Sequence, residues 1–174
     1  DRRTAVLFGD GAGAAVVGAV PPSRGMIDFD LASRGDAHGL IRAEAGGSRQ
    51  PASLQTLTNG GHYFRMNGRE ASKRRVGPMS EAATGPLDDA KLTAADIDLM
   101  IPHQANIRII ESTAKHAGIP MEKVYVNVDR YGNTSAASVP IALDEAVETG
   151  RIREGSKVLL VAFGAGFTWG AMVV

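Results

Sequence analysis

Three short stretches of the chain hold residues that could act on a substrate oxygen. His103 follows "DLMIP", Asn133 lies in "DRYGNTSAAS", and Gly164-Ala165-Gly166 follows "LLVAF". A neutral imidazole and an Asn amide both donate hydrogen bonds, and small residues let backbone N–H groups approach a ligand closely. Donors aimed at one point stabilise negative charge developing on oxygen. Each stretch also has a plainer reading. His103 could cap a helix or fill a turn, and at a helix N-terminus it would tend to stay neutral. Gly132-Asn133-Thr134 could be turn chemistry, with a Thr or Ser capping the helix that follows. Gly164-Ala165-Gly166 could be a tight connection between two strands.

The elements around these residues bear on the choice. Residues 98–102 predict a strand, and Ile107, Ile110 and Ala114 recur at helical spacing, predicting a helix over about 104–117. Gly118 and Pro120 close that helix. "KVYVNV" (123–128) predicts the next strand, and residues 135–149 the next helix, with Ile141, Leu143, Ala146 and Val147 as its apolar positions. "KVLLVAFG" (157–164) is a near-continuous apolar strand, as a sheet covered on both faces requires. "FTWGAMVV" returns after too few residues for a crossover, so that pair is expected to be antiparallel. Strand–helix–strand–helix–strand implies an α/β fold with parallel units, in which ligands bind beyond the carboxyl ends of the strands. All three stretches fall there. Upstream, residues 4–20 read as two short strands around a glycine turn, 25–33 as a half-buried strand and 35–62 as loop. A helix between Met66 and Ala90 is expected to be broken at Gly77-Pro78 and Gly85-Pro86.

Composition narrows the function classes. The 174 residues are 44% hydrophobic and 22% charged, a globular profile. Nineteen basic residues balance nineteen acidic ones, which removes any global attraction to nucleic acid or acidic membranes. No apolar run approaches the ~20 residues that span a bilayer. "FGDGAGA" (8–14) lacks the lysine of a phosphate loop and reads better as a hairpin turn. His38, His62, His103 and His116 share no metal-ligand spacing. The chain has no cysteine, hence no disulfide and no thiol nucleophile of its own. It enters a strand within four residues of Asp1 and stops inside another, so it is expected to be a piece of a longer protein.

Together "GDGAGAAV", "IPHQANIRII", "DRYGNTSAASVPIALDEAV" and "AFGAGFTWG" resemble the C-terminal half of β-ketoacyl-acyl carrier protein synthase III, a thiolase-fold condensing enzyme. The resemblance implies the C-terminal half of a five-layered αβαβα fold with a mixed, mainly parallel sheet. Residues 1–34 would be the end of the N-terminal half and its crossover strands, and 35–174 the C-terminal thiolase-like domain. It implies decarboxylative Claisen condensation of an acyl-CoA primer with malonyl-acyl carrier protein, starting fatty-acid synthesis. By resemblance His103 and Asn133 bind the malonyl thioester oxygen, and the Ala165 amide, where the family usually has glycine, forms an oxyanion hole. Arg2, Phe8, Met66, Gly68, Asn106 and Phe163 would contact substrate or coenzyme A. Lys73, Arg108 and Lys115 would form a basic face for the acidic carrier protein. The resemblance further implies an N-terminal half carrying the nucleophilic cysteine, a homodimer of the complete cytoplasmic enzyme, and no cofactor beyond the coenzyme A thioester substrate. Two other readings stand beside it: a thiolase-fold acyltransferase of polyketide or secondary metabolism, and a non-catalytic half-domain that binds coenzyme A or carrier protein.

Overall fold

The computed structural model describes residues 2–35, 39–67 and 83–174, without the side chains of Arg2 and Arg3. Its principal sheet has four strands in the order β1-β6-β5-β4: β1 (Asp28–Ser33), β4 (Leu99–Pro102), β5 (Val158–Gly164) and β6 (Thr168–Val173). β4 runs parallel to β5, with Leu99 opposite Val158 and Pro102 opposite Val161. β5 and β1 both pair antiparallel with β6. The sheet is therefore mixed: of its three pairings among the described residues, β4–β5 is parallel and the other two are antiparallel. A two-stranded ribbon pairs β2 (Ile41–Arg42), within the stretch read as loop, with β3 (Arg65–Met66) just beyond it, and the short helix α2 (Leu54–Thr58) also lies in that stretch.

Alternation along β4 and β5 sends successive side chains to opposite faces, and both faces are covered. On one side Met100, Leu159 and Val161 pack with Ile110, Ala114 and Ala117 of the α4 region; α4 runs Ile107–His116. On the other, Leu99, Ile101 and Val158 pack with Ala142 and Ala146 of α6 (Ser138–Glu148). This is the doubly covered strand pair that the apolar run in 157–164 called for.

Four local expectations differ from the structure. α4 begins at Ile107 rather than 104, because the Asn106 side chain accepts a hydrogen bond from Ile109 N and caps the helix there. His103 is thus in the connection before the helix, not at its N-terminus. Residues 123–128 form no strand. Val124 makes a single parallel bridge to Met100, and Asn127 N and Val128 N then bond to the Gln104 side chain instead of a neighbouring backbone. Pro102 ends β4 and has no N–H to extend the ladder. The 4–20 hairpin is absent: α1 (Arg2–Ala5) is followed by an extended run whose one bridge is Phe8 to Asn133. A strand needs a partner for its backbone groups, and 10–20 has none among the described residues. Finally, residues 83–89 form a helix, α3, through Gly85-Pro86, with Pro86 fully buried. Pro86 is the fourth residue of this described helix, so the hydrogen bond that its nitrogen cannot make would not fall within 83–89, and no bond inside that span is lost. Gly77-Pro78 lies outside the described residues.

Candidate active site

His103, Asn133 and Ala165 line one cavity of about 800 Å³. β4 delivers His103: its N–H donates to Val161 O of β5 at 2.7 Å, which fixes the backbone one residue beyond the end of the strand. Asn133 comes from the loop between α5 (Val128–Tyr131) and α6. Ala165 lies in the connection between β5 and β6. The three stretches thus line one surface, although Asn133 reaches it from a loop between two helices and not from the end of a sheet strand. Phe8, Met66 and Phe163 also line it, with Phe8 and Phe64 in edge-to-face contact at 5.4 Å between ring centroids. Phe163 stacks on Trp169 and lies 5.1 Å from Phe167. The walls are apolar and aromatic, and the polar groups are few, as in sites that bind a largely hydrophobic ligand around a reactive centre.

The two donor side chains are oriented by their own partners. Asn133 Oδ1 accepts from Ser135 N at 2.9 Å, so the amide nitrogen is turned the other way as the donor. The loop that does this is tightly bent: Gly132 has φ +67° and Ser135 φ +56°, left-handed values that cost a non-glycine residue on the order of 1 kcal/mol. The Asn133 backbone is clamped as well, its N–H donating to Leu7 O at 2.9 Å and its carbonyl accepting from Gly9 N at 3.0 Å. His103 Nδ1 lies 2.6 Å from Ser138 Oγ, the first residue of α6. That helix has no side-chain cap, so the capping role expected of a Thr or Ser before it is not taken up.

Two further polar groups hold the site and were not singled out in the sequence. Gln104 is 1% exposed and uses all four of its hydrogen-bonding positions. Its Nε2 donates to Pro102 O and Tyr125 O, and its Oε1 accepts from Asn127 N and Val128 N. One side chain therefore joins the end of β4 to the start of α5. Glu145 of α6 accepts from Asn127 Nδ2 at 2.7 Å, from both Arg130 Nη atoms at 2.5 and 2.8 Å, and from Tyr131 Oη at 2.9 Å. Burial pushes its carboxyl up, but the bonds from Arg130, Asn127 and Tyr131 outweigh that and hold it below its ordinary 4.5. The same pairing raises the Arg130 guanidinium. An acidic residue one helical turn or more past a Gly-Asn loop was the available signal, but helix periodicity alone reads it as solvent-facing.

The remaining expected residues are scattered. Asn106 caps α4 and is not part of the cavity wall. Arg108 and Lys115 are exposed on α4, seven residues apart on one face, with the exposed Glu111 between them reducing the positive charge of that strip. Gly68, Lys73 and the Arg2 side chain lie outside the described residues.

Comparison with known proteins places this architecture. The family model "3-oxoacyl-[acyl-carrier-protein (ACP)] synthase III C terminal" matches residues 87–174, and "3-oxoacyl-[acyl-carrier-protein (ACP)] synthase III" matches residues 1–35. The chain is 52% identical over its whole length to β-ketoacyl-[acyl-carrier-protein] synthase III of Symbiobacterium thermophilum, covering 53% of that protein. A crystal structure of the β-ketoacyl-[acyl carrier protein] synthase III of Thermus thermophilus superposes with TM-score 0.88 at 49% identity, over 100% of this chain and 53% of that one. The priming β-ketosynthase of the R1128 polyketide pathway superposes more loosely, with TM-score 0.73 at 30% identity over 86% of this chain and 44% of that one. The chain spans about half the length of the curated relatives it matches. Its mixed α/β sheet is thiolase-like, and by the family model, the relatives and the shared fold this chain belongs to the 3-oxoacyl-[acyl-carrier-protein] synthase III family.

Proposed function

We propose that this chain is the C-terminal part of a β-ketoacyl-acyl carrier protein synthase III that joins an acyl-CoA primer to malonyl-acyl carrier protein. The observation that carries the proposal is the convergence of His103, Asn133 and the Ala165 connection on one apolar-walled cavity. In this reading the His103 imidazole N–H and the Asn133 amide N–H donate to the malonyl thioester oxygen. The bond from the malonyl methylene carbon to its carboxylate breaks, carbon dioxide leaves, and the electron pair passes into an enolate whose charge rests on that oxygen. The enolate carbon then attacks the acyl thioester formed on a cysteine of the N-terminal half. The resulting oxyanion is held by the Ala165 N–H, and the carbon–sulfur bond breaks to return the thiolate. Each donor of this kind is worth about 10²–10³ in rate where water is excluded.

The partners follow from the same reading. Acyl-CoA and malonyl-acyl carrier protein are the substrates, and Arg2, Phe8, Met66, Gly68, Asn106 and Phe163 serve the acyl, coenzyme A and pantetheine path. Lys73, Arg108 and Lys115 face the carrier protein. Residues 1–34 lead out of the N-terminal half: Val16 and Val17 stand 103% and 93% exposed along an uncovered extended run, and the chain then enters this sheet as β1. The complete enzyme is a cytoplasmic homodimer that needs no metal or organic cofactor. No helix among the described residues is long and apolar enough to cross a membrane.

The test is product analysis with the full-length protein, acyl-CoA and malonyl-acyl carrier protein. A 3-ketoacyl-carrier product formed with stoichiometric carbon dioxide is expected. Acyl transfer to an oxygen or nitrogen acceptor without carbon dioxide release would contradict the proposal. The looser likeness to a priming polyketide synthase supports a second reading that keeps the condensation but places it in polyketide assembly.

A further inference from the structure

We propose that Ser138 is a positioning residue that fixes the tautomer of His103, so that the imidazole presents Nε2–H. The inference rests on the functional reading above only for its consequence in catalysis; the tautomer itself follows from hydrogen-bond accounting. Ser138 is 2% exposed at the first position of α6. Its hydroxyl has one proton and two lone pairs. One lone pair takes the Gln104 N–H, which can only donate, at 3.2 Å. The other partner of the hydroxyl is His103 Nδ1 at 2.6 Å. Two arrangements are open to a neutral imidazole. If Nδ1 carried the proton, Ser138 Oγ would accept from two N–H groups, and its own buried proton would have no acceptor. Leaving a buried hydrogen-bonding group unmet in this way is the costlier state by a clear margin. If Nδ1 is bare, the Ser138 O–H donates to it, every group is satisfied, and the imidazole proton resides on Nε2.

The position of Ser138 adds to this. It opens an eleven-residue helix, and the positive end of a helix favours a lone pair over an N–H pointing at it. Gln104 N, which fills the remaining lone pair, belongs to the residue after His103, so the imidazole and the hydroxyl that orients it are tied to the same turn of chain. The result is a histidine prepared to donate from Nε2 without first exchanging its proton. The opposite tautomer would offer an acceptor to the substrate oxygen and repel it. Ser138 itself is buried behind the imidazole and acts through it.

The experiment uses the full-length protein labelled with nitrogen-15 at histidine, and reads two-bond nitrogen–proton correlations of the imidazole, assigned by their loss in His103→Gln. Protonated Nε2 and bare Nδ1 are expected at neutral pH; protonated Nδ1 in the wild-type protein overturns the inference without any variant. In Ser138→Ala the His103 signals shift toward the Nδ1–H form. Malonyl decarboxylation falls by about 10²-fold, while acylation by the primer and the KM for acyl-CoA stay unchanged. Ser138→Thr, which keeps the hydroxyl, restores both the signal pattern and the rate. Unchanged tautomer and rate in a folded Ser138→Ala protein overturn the inference. A wild-type protein that shows Nε2–H but releases no carbon dioxide supports the tautomer and overturns the functional reading instead.

Discussion

At Gly9 a hydrogen atom stands where any other residue carries at least a methyl group, and the space decides what that means. A Cβ there would sit 1.9 Å from the Tyr131 carbonyl oxygen, while the Gly9 N–H bonds to the Asn133 carbonyl. Gly9→Ala must therefore push the 7–9 segment off the loop that carries Asn133. We expect a loss of about 1–3 kcal/mol in denaturant unfolding of the full-length protein, from overpacking, together with weakened malonyl decarboxylation. Unchanged stability and rate would show that the contact is slack. The glycines of "GDGAGA" invited a hairpin because a turn and a close approach use the same residue. Gly11 and Gly13 likewise face Thr134, Ile141 and Pro140. What lies opposite a glycine is a tertiary fact, and no spacing within the segment reveals it. His103 was legible for the opposite reason, as a polar donor at the end of an apolar strand, and Asn133 because a Gly-Asn-Thr turn before an apolar helix stands out in the chain itself.

Among the elements, the loop from α5 to α6 depends on Glu145 rather than on its own helix caps. Four hydrogen bonds from Asn127, Arg130 and Tyr131 converge on one carboxylate, so α5 is fastened to the middle of α6 while Asn133 projects between them. Glu145→Ala leaves the buried Asn127 amide without its acceptor, and we expect about 1–3 kcal/mol of destabilisation. The pH dependence has a definite sign. Glu145 is held below 4.5 in the folded state, so its ionised form stabilises the fold above the unfolded value. That contribution disappears as pH falls below about 4.5 and through the lower folded value. Urea unfolding of wild type and Glu145→Gln from pH 7 down to 3 should show the gap between them closing at acid pH. A gap that stays constant would remove the carboxylate from the account. Element types were readable where periodicity was strong, in β4, β5, β6 and the body of α4. The 123–128 segment was not, because Gln104 replaces a backbone neighbour with a side chain, and a strand-like pattern cannot announce that its ladder ends.

For the molecule as a whole, the run of exposed valines along residues 6–20 is the feature that composition concealed. Val6, Val16, Val17 and Val20 are all exposed, yet the same sequence buries two well-packed clusters around β4 and β5. On the reading proposed here an N-terminal half covers this run and brings the cysteine that the chain lacks. Amide hydrogen exchange should find residues 10–20 fast in the isolated chain and strongly protected in the full-length protein. Fast exchange in both would leave the run without its proposed cover. The architecture of the C-terminal sheet was legible because an apolar strand pair and two helices fix it locally; the state of 1–20 was not, since it depends on surfaces beyond these residues. The most direct test of the central claim separates the two half-reactions in the full-length protein. His103→Ala and Asn133→Ala should each still accept the acyl group from acyl-CoA, but release carbon dioxide from malonyl-acyl carrier protein about 10²-fold or more slowly. Carbon dioxide release at the wild-type rate in both variants would contradict the claim that these two side chains bind the thioester oxygen.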